Sequence, residues 1–300
     1  MEVLRLEAVG KRFDGNVAVR DLSWTIPEGS VYGLIGPNGS GKTTTIRMIL
    51  DIFPPDEGRI TLFGRKPDAT TRDRVGYLPE ERGLYKRMRV KDVLTYLGRL
   101  KGENGAGLAA SIRTWLDRFD LASWADRPVE DLSKGMQQKV QFIGTVLHEP
   151  KLLILDEPFS GLDPISADQL KDCVLELKRR GATIILSTHA MEAAEKLCDS
   201  VLMLHRGDKV LDGALESIRA EHGAQAVTLD YEGDGASLRG LAGVEAINDY
   251  GKHAELTLAT GTDPQEILRG LLGKIKIHRF ESRRSSLHEI FRRRVGGPVE

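Results

Sequence analysis

The sequence predicts an α/β protein in two parts: a largely parallel sheet with helices on both faces, then a smaller α+β unit. Three observations carry that expectation. Short apolar runs of strand length alternate with segments of helical spacing through the first two-thirds of the chain. The runs at 152–155 and 183–187 read as strands buried on both faces, as in a parallel sheet. The texture changes near residues 217–223, and 300 residues correspond to about two domains at roughly 150 each.

Residues 1–32 alternate as half-buried strands do, in Val3-Leu-Arg-Leu-Glu-Ala and Leu22-Ser-Trp-Thr-Ile. Val31-Tyr-Gly-Leu-Ile35 is a short apolar strand, and a glycine-rich stretch follows it. Residues 43–52 then carry Ile46, Ile49 and Leu50 at helical spacing, and Pro54-Pro55 stops that helix. Residues 58–63 and 74–78 read as strands. From 90 to about 147 the pattern is mostly helical, interrupted at 102–107 and at Pro128, and a helix over 165–180 separates the two buried strands. Further on, strands at 227–231, 244–247, 254–258 and 275–280 are interleaved with helices at 237–241 and 264–272, and a helix at 287–294 follows. Asp263 as N-cap with Pro264 at the first helical position starts one of these helices. Ser286 and Glu289 form a capping-box pattern at the last. The order βαββαβ plus a tail helix fits a ferredoxin-like unit, so the domains are drawn at 1–217 and 218–300.

Composition narrows the function. Forty-three Lys and Arg against 44 Asp and Glu leave a net charge of -1, so no global basic field argues for a nucleic-acid partner. No apolar run approaches the roughly 18 residues of a membrane helix. The N-terminal Met-Glu-Val-Leu-Arg-Leu-Glu lacks the charged-then-apolar layout of a signal peptide. Cys173 and Cys198 are too few and too far apart for a disulfide framework or a zinc site, and read as reduced core thiols. A cytoplasmic protein is expected. Arg279, Arg283, Arg284 and Arg292-Arg-Arg294 read as a solvated face paired with Glu281 and Glu289, with an anionic-lipid contact or dimerisation as alternatives.

Gly36-Pro37-Asn38-Gly39-Ser40-Gly41-Lys42-Thr43, followed by Thr44, matches the phosphate-binding pattern G-x-x-x-x-G-K-[ST]. A triphosphate must exchange its water for backbone N–H groups, and only glycine lets the chain approach that closely. The helix that follows points its N-terminal dipole at the same phosphates. Lys42 supplies a fixed cation, and the Thr43 hydroxyl can ligate Mg²⁺. Leu152-Leu-Ile-Leu-Asp156-Glu157 ends a buried strand in two carboxylates, at the sheet end where α/β proteins bind ligands. Asp156 is placed to hold Mg²⁺ through water, and Glu157 to polarise the water that attacks the γ-phosphate.

The segment Leu132-Ser-Lys-Gly-Met-Gln-Gln138 resembles the Leu-Ser-Gly-Gly-Gln signature of ABC ATPases, with Lys134 and Met136 substituted and Ser133 and Gly135 retained. The resemblance implies a phosphate-loop cassette with a RecA-like core sheet, an antiparallel β subdomain and a helical subdomain over about 85–145. It implies ATP and Mg²⁺ at the loop, Phe13 as the ring stacked on adenine, and Ser133 and Gly135 completing the site of a second copy. Ser160-Gly-Leu-Asp163 is similar to the loop that touches the partner's phosphate site. His189, in Ser187-Thr-His-Ala-Met-Glu, is similar to the histidine that contacts the γ-phosphate. Gly76-Tyr-Leu-Pro-Glu80 resembles a loop that usually ends in Gln; Glu80 in its place can still ligate Mg²⁺ or orient water.

The longer run Gly76-Tyr-Leu-Pro-Glu-Glu-Arg82-Gly-Leu-Tyr85 and the terminal Ser286-Leu-His-Glu-Ile-Phe291 are similar to ATP-binding subunits of ABC-2-type exporters of the sodium-extrusion kind. That likeness implies a homodimer closed over two ATP molecules and a separate integral-membrane permease docked on the helical region and the loop 80–88. It also implies a peripheral location on the inner face of the cell membrane. The alternative is a soluble non-transport ABC ATPase acting as a nucleotide-driven switch. Translation ATPases of this type usually carry two cassettes, whereas one phosphate loop is present. Repair ATPases need long heptad arms, for which the span from Lys42 to Leu132 leaves no room.

Overall fold

The chain begins with a β-hairpin whose turn chemistry is local. Strands β1 (Glu2–Phe13) and β2 (Asn16–Pro27) pair antiparallel through Phe13 and Asn16. Asp14 and Gly15 between them both have positive φ, 46° and 84°, the handedness that matches the twist of the flanking strands. A third strand, β4 (Glu57–Leu62), adds to the free edge of β1. The structure is a computed structural model and describes residues 2–81, 83–222, 225–259 and 261–296. It divides into two compact units, Met1–Ala214 and Leu215–Glu300.

The first unit is organised by a six-stranded sheet. Its order is β5 (Val75–Leu78), β6 (Leu152–Asp156), β7 (Thr183–Thr188), β3 (Val31–Ile35), β8 (Ser200–His205) and β9 (Asp208–Ala214). All neighbours run parallel except β8 and β9. Every residue of β3, β6 and β7 is buried, which is what apolar runs covered on both faces require. The register sets Ile35 beside Thr188, and Asp156 beside Ser187. Three strands therefore end level, and the three segments that follow them emerge at one edge of the sheet.

Helix α1 (Lys42–Ile49) follows β3 across the loop 36–41. Its spacing predicts a helix to residue 52; the helix ends sooner because Asp51 takes a left-handed φ of 55°. A single short turn, α2 (Ala69–Arg72), precedes β5. Three helices, α3 (Val90–Leu100), α4 (Gly105–Arg118) and α5 (Lys134–Val146), form a packed layer with its own apolar contacts. Trp115, Phe119 and Phe142 meet there with ring centroids 5.9–6.1 Å apart. Gly98 and Gly144 permit the close approach, since a Cβ on either would lie 2.5 Å from Leu108 or Leu97. Helix α6 (Pro164–Arg179) spans the crossover from β6 to β7, and α7 (Met191–Leu197) that from β7 to β8. Cys173 and Cys198 are buried and free, as their spacing implied.

The second unit opens with α8 (Leu215–His222) and carries a four-stranded antiparallel sheet. Its order is β11 (Val244–Asp249), β12 (His253–Leu258), β10 (Gln225–Glu232) and β13 (Lys276–Arg284). The first and third strands, β10 and β12, form the central pair, with β13 beside β10 and β11 beside β12 at the two edges, which is the ferredoxin-like arrangement. Val227, Leu229, Tyr231 and Leu256 on one face pack with Ile267 and Leu271 of α9 (Pro264–Leu271). Asp263 caps α9, and Ser286 and Glu289 form the expected capping box of α10 (Leu287–Val295). The expected helix at 237–241 is a 3₁₀ turn, Gly235–Leu238, closed by the Asp234 side chain; Arg239 then returns to extended backbone. Arg279 pairs with Glu281. Arg82, and the side chains of Arg283 and Arg284, lie outside the described residues.

Candidate functional site

The loop between β3 and α1 is built around backbone that a side chain would obstruct. Gly36, Gly39 and Gly41 have φ of 152°, 75° and 106°. A Cβ on Gly41 would sit 2.5 Å from the Ala18 carbonyl, and one on Gly36 would overlap the Leu204 carbonyl. Gly41 is the N-cap of α1 and offers no side-chain acceptor, so the first amides of the helix are available to an anion. Asn38, Gly39, Ser40, Gly41, Lys42, Thr43 and Thr44 line a cavity of about 300 Å³ with Glu80, Asp156 and Glu157. Gly36 and Pro37 stand behind it; their carbonyls accept hydrogen bonds from Lys42 Nζ at 2.7 and 3.1 Å.

The carboxylates enter from the end of β6. Asp156 accepts hydrogen bonds from Ser187 Oγ at 2.6 Å and Thr43 Oγ1 at 3.3 Å. Burial pushes its carboxyl above the usual range, the Ser187 hydrogen bond offsets part of that, and the charge of Glu157 adds to it. Glu157 adopts a left-handed φ of 48°, an uncommon conformation for this residue that turns the chain out of the strand. Its N–H donates to the Ser187 carbonyl at 2.9 Å. Its side chain accepts from Thr188 Oγ1 at 3.0 Å, His189 N at 2.8 Å and His189 Nδ1 at 2.7 Å. A carboxylate only accepts, so Nδ1 carries the hydrogen; the His189 side chain is 57% exposed and keeps Nε2 for another partner. Burial lowers the Lys42 ammonium from its ordinary value, and the charges of Glu157, Asp156 and Glu80 offset this in part.

Ser133, Gly135 and Asp163 lie outside that cavity and belong to a second cluster. Ser133 caps α5, its Oγ accepting from Met136 N at 3.3 Å. Asp163 caps α6, accepting from Ser166 N at 3.0 Å; the Ser166 hydroxyl first, and this N–H second, hold its carboxyl below the usual range. Leu162 reaches Gly135 closely enough that a Cβ there would be 3.5 Å away, so the two segments are neighbours. Phe13 stands at the hairpin end, 45% exposed and edge-on to Phe53 at 5.5 Å. Lys11 Nζ lies 5.5 and 5.3 Å from the two ring centroids and is held by Asp56 at 2.7 Å.

Four contributors were not visible in the sequence. Ser187 and Thr188 position the two carboxylates from the neighbouring strand, and Gln138 Nε2 reaches the Pro158 carbonyl at 3.3 Å. Phe53 backs Phe13. The signal for the first two was the run Thr183-Ile-Ile-Leu-Ser-Thr188, which places hydroxyls in a fully buried strand.

The cavity fits a polyphosphate with a hard divalent cation. Ser40 is 2% exposed, and among the described residues its buried Oγ has no hydrogen-bond partner. The glycine backbone leaves the space that such an anion takes. Thr43 Oγ1 and an Asp156 oxygen stand 3.3 Å apart, an all-oxygen donor pair of the kind Mg²⁺ prefers.

Comparison with known proteins agrees with this geometry. A family model described as ABC transporter matches residues 19–160. A second, described as ATP-binding protein DrrA1-3-like, C-terminal domain, matches residues 213–295. The chain is 43% identical to the uncharacterized ABC transporter ATP-binding protein YhaQ of Bacillus subtilis (strain 168), over 99% of this chain and 100% of that one. It is 34% identical to Nod factor export ATP-binding protein I of Burkholderia lata, over 97% and 96%. A solved structure described as the ATP binding subunit of an ABC transporter aligns at 33% identity with a TM-score of 0.69, covering 73% of this chain and 92% of that one.

Proposed function

The chain belongs to the ABC transporter ATP-binding protein family, and from that membership we propose that it is the ATP-hydrolysing subunit of an exporter whose membrane-spanning permease is a separate chain. The observation that carries the reading is the single cavity on which the glycine loop, Lys42, Asp156 and Glu157 converge. No described helix is long and apolar enough to cross a membrane, and this reading assigns the transport path to the separate permease. The exporter assignment draws on the export relative, whose sequence parallels nearly the whole chain. The protein would then sit in the cytoplasm, peripheral on the inner face of the cell membrane.

The residues divide the work by chemistry. The loop amides and Lys42 bind the phosphates, and Phe13 offers a ring face to the adenine. Thr43, Asp156 and Glu80 would hold Mg²⁺, which neutralises charge on the phosphates when bound. Glu157 accepts a proton from the attacking water, its carboxylate fixed in direction by Thr188 and His189. His189, whose Nδ1 is taken by Glu157, would offer Nε2 to the developing charge on the γ-phosphate. Ser133 and Gly135 lie away from this chain's own cavity, which fits their acting on the nucleotide of a second copy in a twofold dimer. Such closure excludes water and aligns the nucleophile. We assign the cassette to residues 1–217 and an accessory role to residues 218–300.

Affinity purification of the tagged chain from native membranes tests the reading. A multi-span membrane protein is expected to co-purify and to raise the ATPase rate. A chain that hydrolyses ATP but leaves the membrane fraction without any partner would contradict the transport assignment.

A further inference from the structure

Among the described residues, the phosphate cavity is lined by more carboxylates than ammonium groups. Of the described residues that line it, three are carboxylates, Glu80, Asp156 and Glu157, and one is a cation, Lys42. Two of the three are engaged: Asp156 by Ser187 and Thr43, Glu157 by Thr188 and His189. Glu80 differs. It follows β5 on an exposed loop, and among the described residues its carboxylate makes no hydrogen bond or ion pair. It also borders a neighbouring cavity with Glu157, Gln138 and Ser160, so it stands at the rim between the two.

A bare triphosphate entering this cavity meets one ammonium and three carboxylates. A nucleotide that brings a divalent cation meets the same groups with two positive charges added. The third carboxylate therefore penalises the first case more than the second. We propose that Glu80 makes nucleotide binding conditional on the cation: its charge repels metal-free nucleotide and is offset once metal enters with it. This inference rests on the nucleotide-binding reading above.

The experiment measures ATP affinity of the full chain by calorimetry, in excess EDTA and in saturating Mg²⁺. The ratio of the two dissociation constants is the coupling between metal and nucleotide. Glu80→Gln keeps the shape and removes the charge. Metal-free ATP should bind about fivefold more tightly in E80Q, the effect of one charge facing several across a partly solvated gap. Binding with Mg²⁺ should stay level or weaken, so the ratio falls by fivefold or more. Glu80→Asp should keep most of the parent ratio. Glu81→Gln should keep all of it, because Glu81 borders only the neighbouring cavity. A ratio unchanged in E80Q, or both affinities moving together, overturns the inference and leaves the functional reading standing. A parent chain that binds ATP under neither condition overturns both.

Discussion

Replacing Glu157 by Gln separates catalysis from structure, because the hydrogen bonds of the site are known atom by atom. The carboxylate accepts from His189 N at 2.8 Å, His189 Nδ1 at 2.7 Å and Thr188 Oγ1 at 3.0 Å. A Gln side-chain oxygen can keep both His189 contacts. Its NH₂ group then faces Thr188 Oγ1, which must accept rather than donate, and Thr188 Oγ1 already accepts from Ala190 N at 3.0 Å. One hydrogen bond is rearranged, at a cost of about 1 kcal/mol. That corresponds to a fall of about 2–4 °C in melting temperature for a unit of this size. The amide cannot take a proton, so the general-base contribution is lost and kcat should fall by about 10²–10⁴, or about 3–5 kcal/mol of barrier. The assay is steady-state phosphate release with Mg-ATP, beside thermal unfolding of the same preparations. Glu157→Ala removes all three contacts and should lose more stability than E157Q at a similar rate. A kcat within threefold of the parent in E157Q, with folding intact, would refute the assignment of Glu157 as the base.

Three further outcomes are expected. Phe13→Ala removes the exposed ring that Phe53 backs, and should raise the KM for ATP severalfold, with kcat little changed; an unchanged KM in initial-rate measurements rejects the stacking role. Burial lowers the His148 imidazole from its ordinary value and the Lys101 charge adds to this, while the hydrogen bond between Nε2 and the Val75 carbonyl at 3.2 Å offsets part of it. The unfolded chain protonates that imidazole below about pH 6.5 while the folded one resists, so stability is retained above that pH and falls as pH drops towards the depressed folded value. Urea unfolding at neutral and mildly acid pH should show a smaller loss in His148→Gln than in the parent. Burial also pushes the Cys173 and Cys198 thiols up to about 11 and about 12, so a thiol reagent at mildly alkaline pH should label neither in the native protein and both after denaturation.

Contiguous chemistry was legible in the sequence, and chemistry assembled across strands was not. The phosphate loop could be read because a backbone cradle must be made of neighbouring residues, and Gly36 through Thr43 supply one. Asp156 and Glu157 could be read because a buried strand that ends in two acids is conspicuous. Their partners Ser187 and Thr188 lie 31 residues further on, and only the register of β6 with β7 brings them together. The pairing of Phe53 with Phe13 likewise depends on the sheet that joins β1 and β4. Pro54-Pro55 predict a later end for α1 than the structure shows, because the backbone already turns at Asp51. The 3₁₀ turn at Gly235–Leu238 shows the same limit: a few apolar residues fix neither the length nor the type of a short helix.

The central claim is that the loop around Lys42 grips the phosphates of ATP. Calorimetric titration of Mg-ATP into the purified chain and into Lys42→Ala tests it directly. Lys42 is 7% exposed and its ammonium rests on the Gly36 and Pro37 carbonyls, so the truncation removes the charge at the floor of the cavity. Saturable binding by the parent, weakened at least about a hundredfold in a folded K42A protein, is the predicted result. Equal affinity in the two proteins would contradict it.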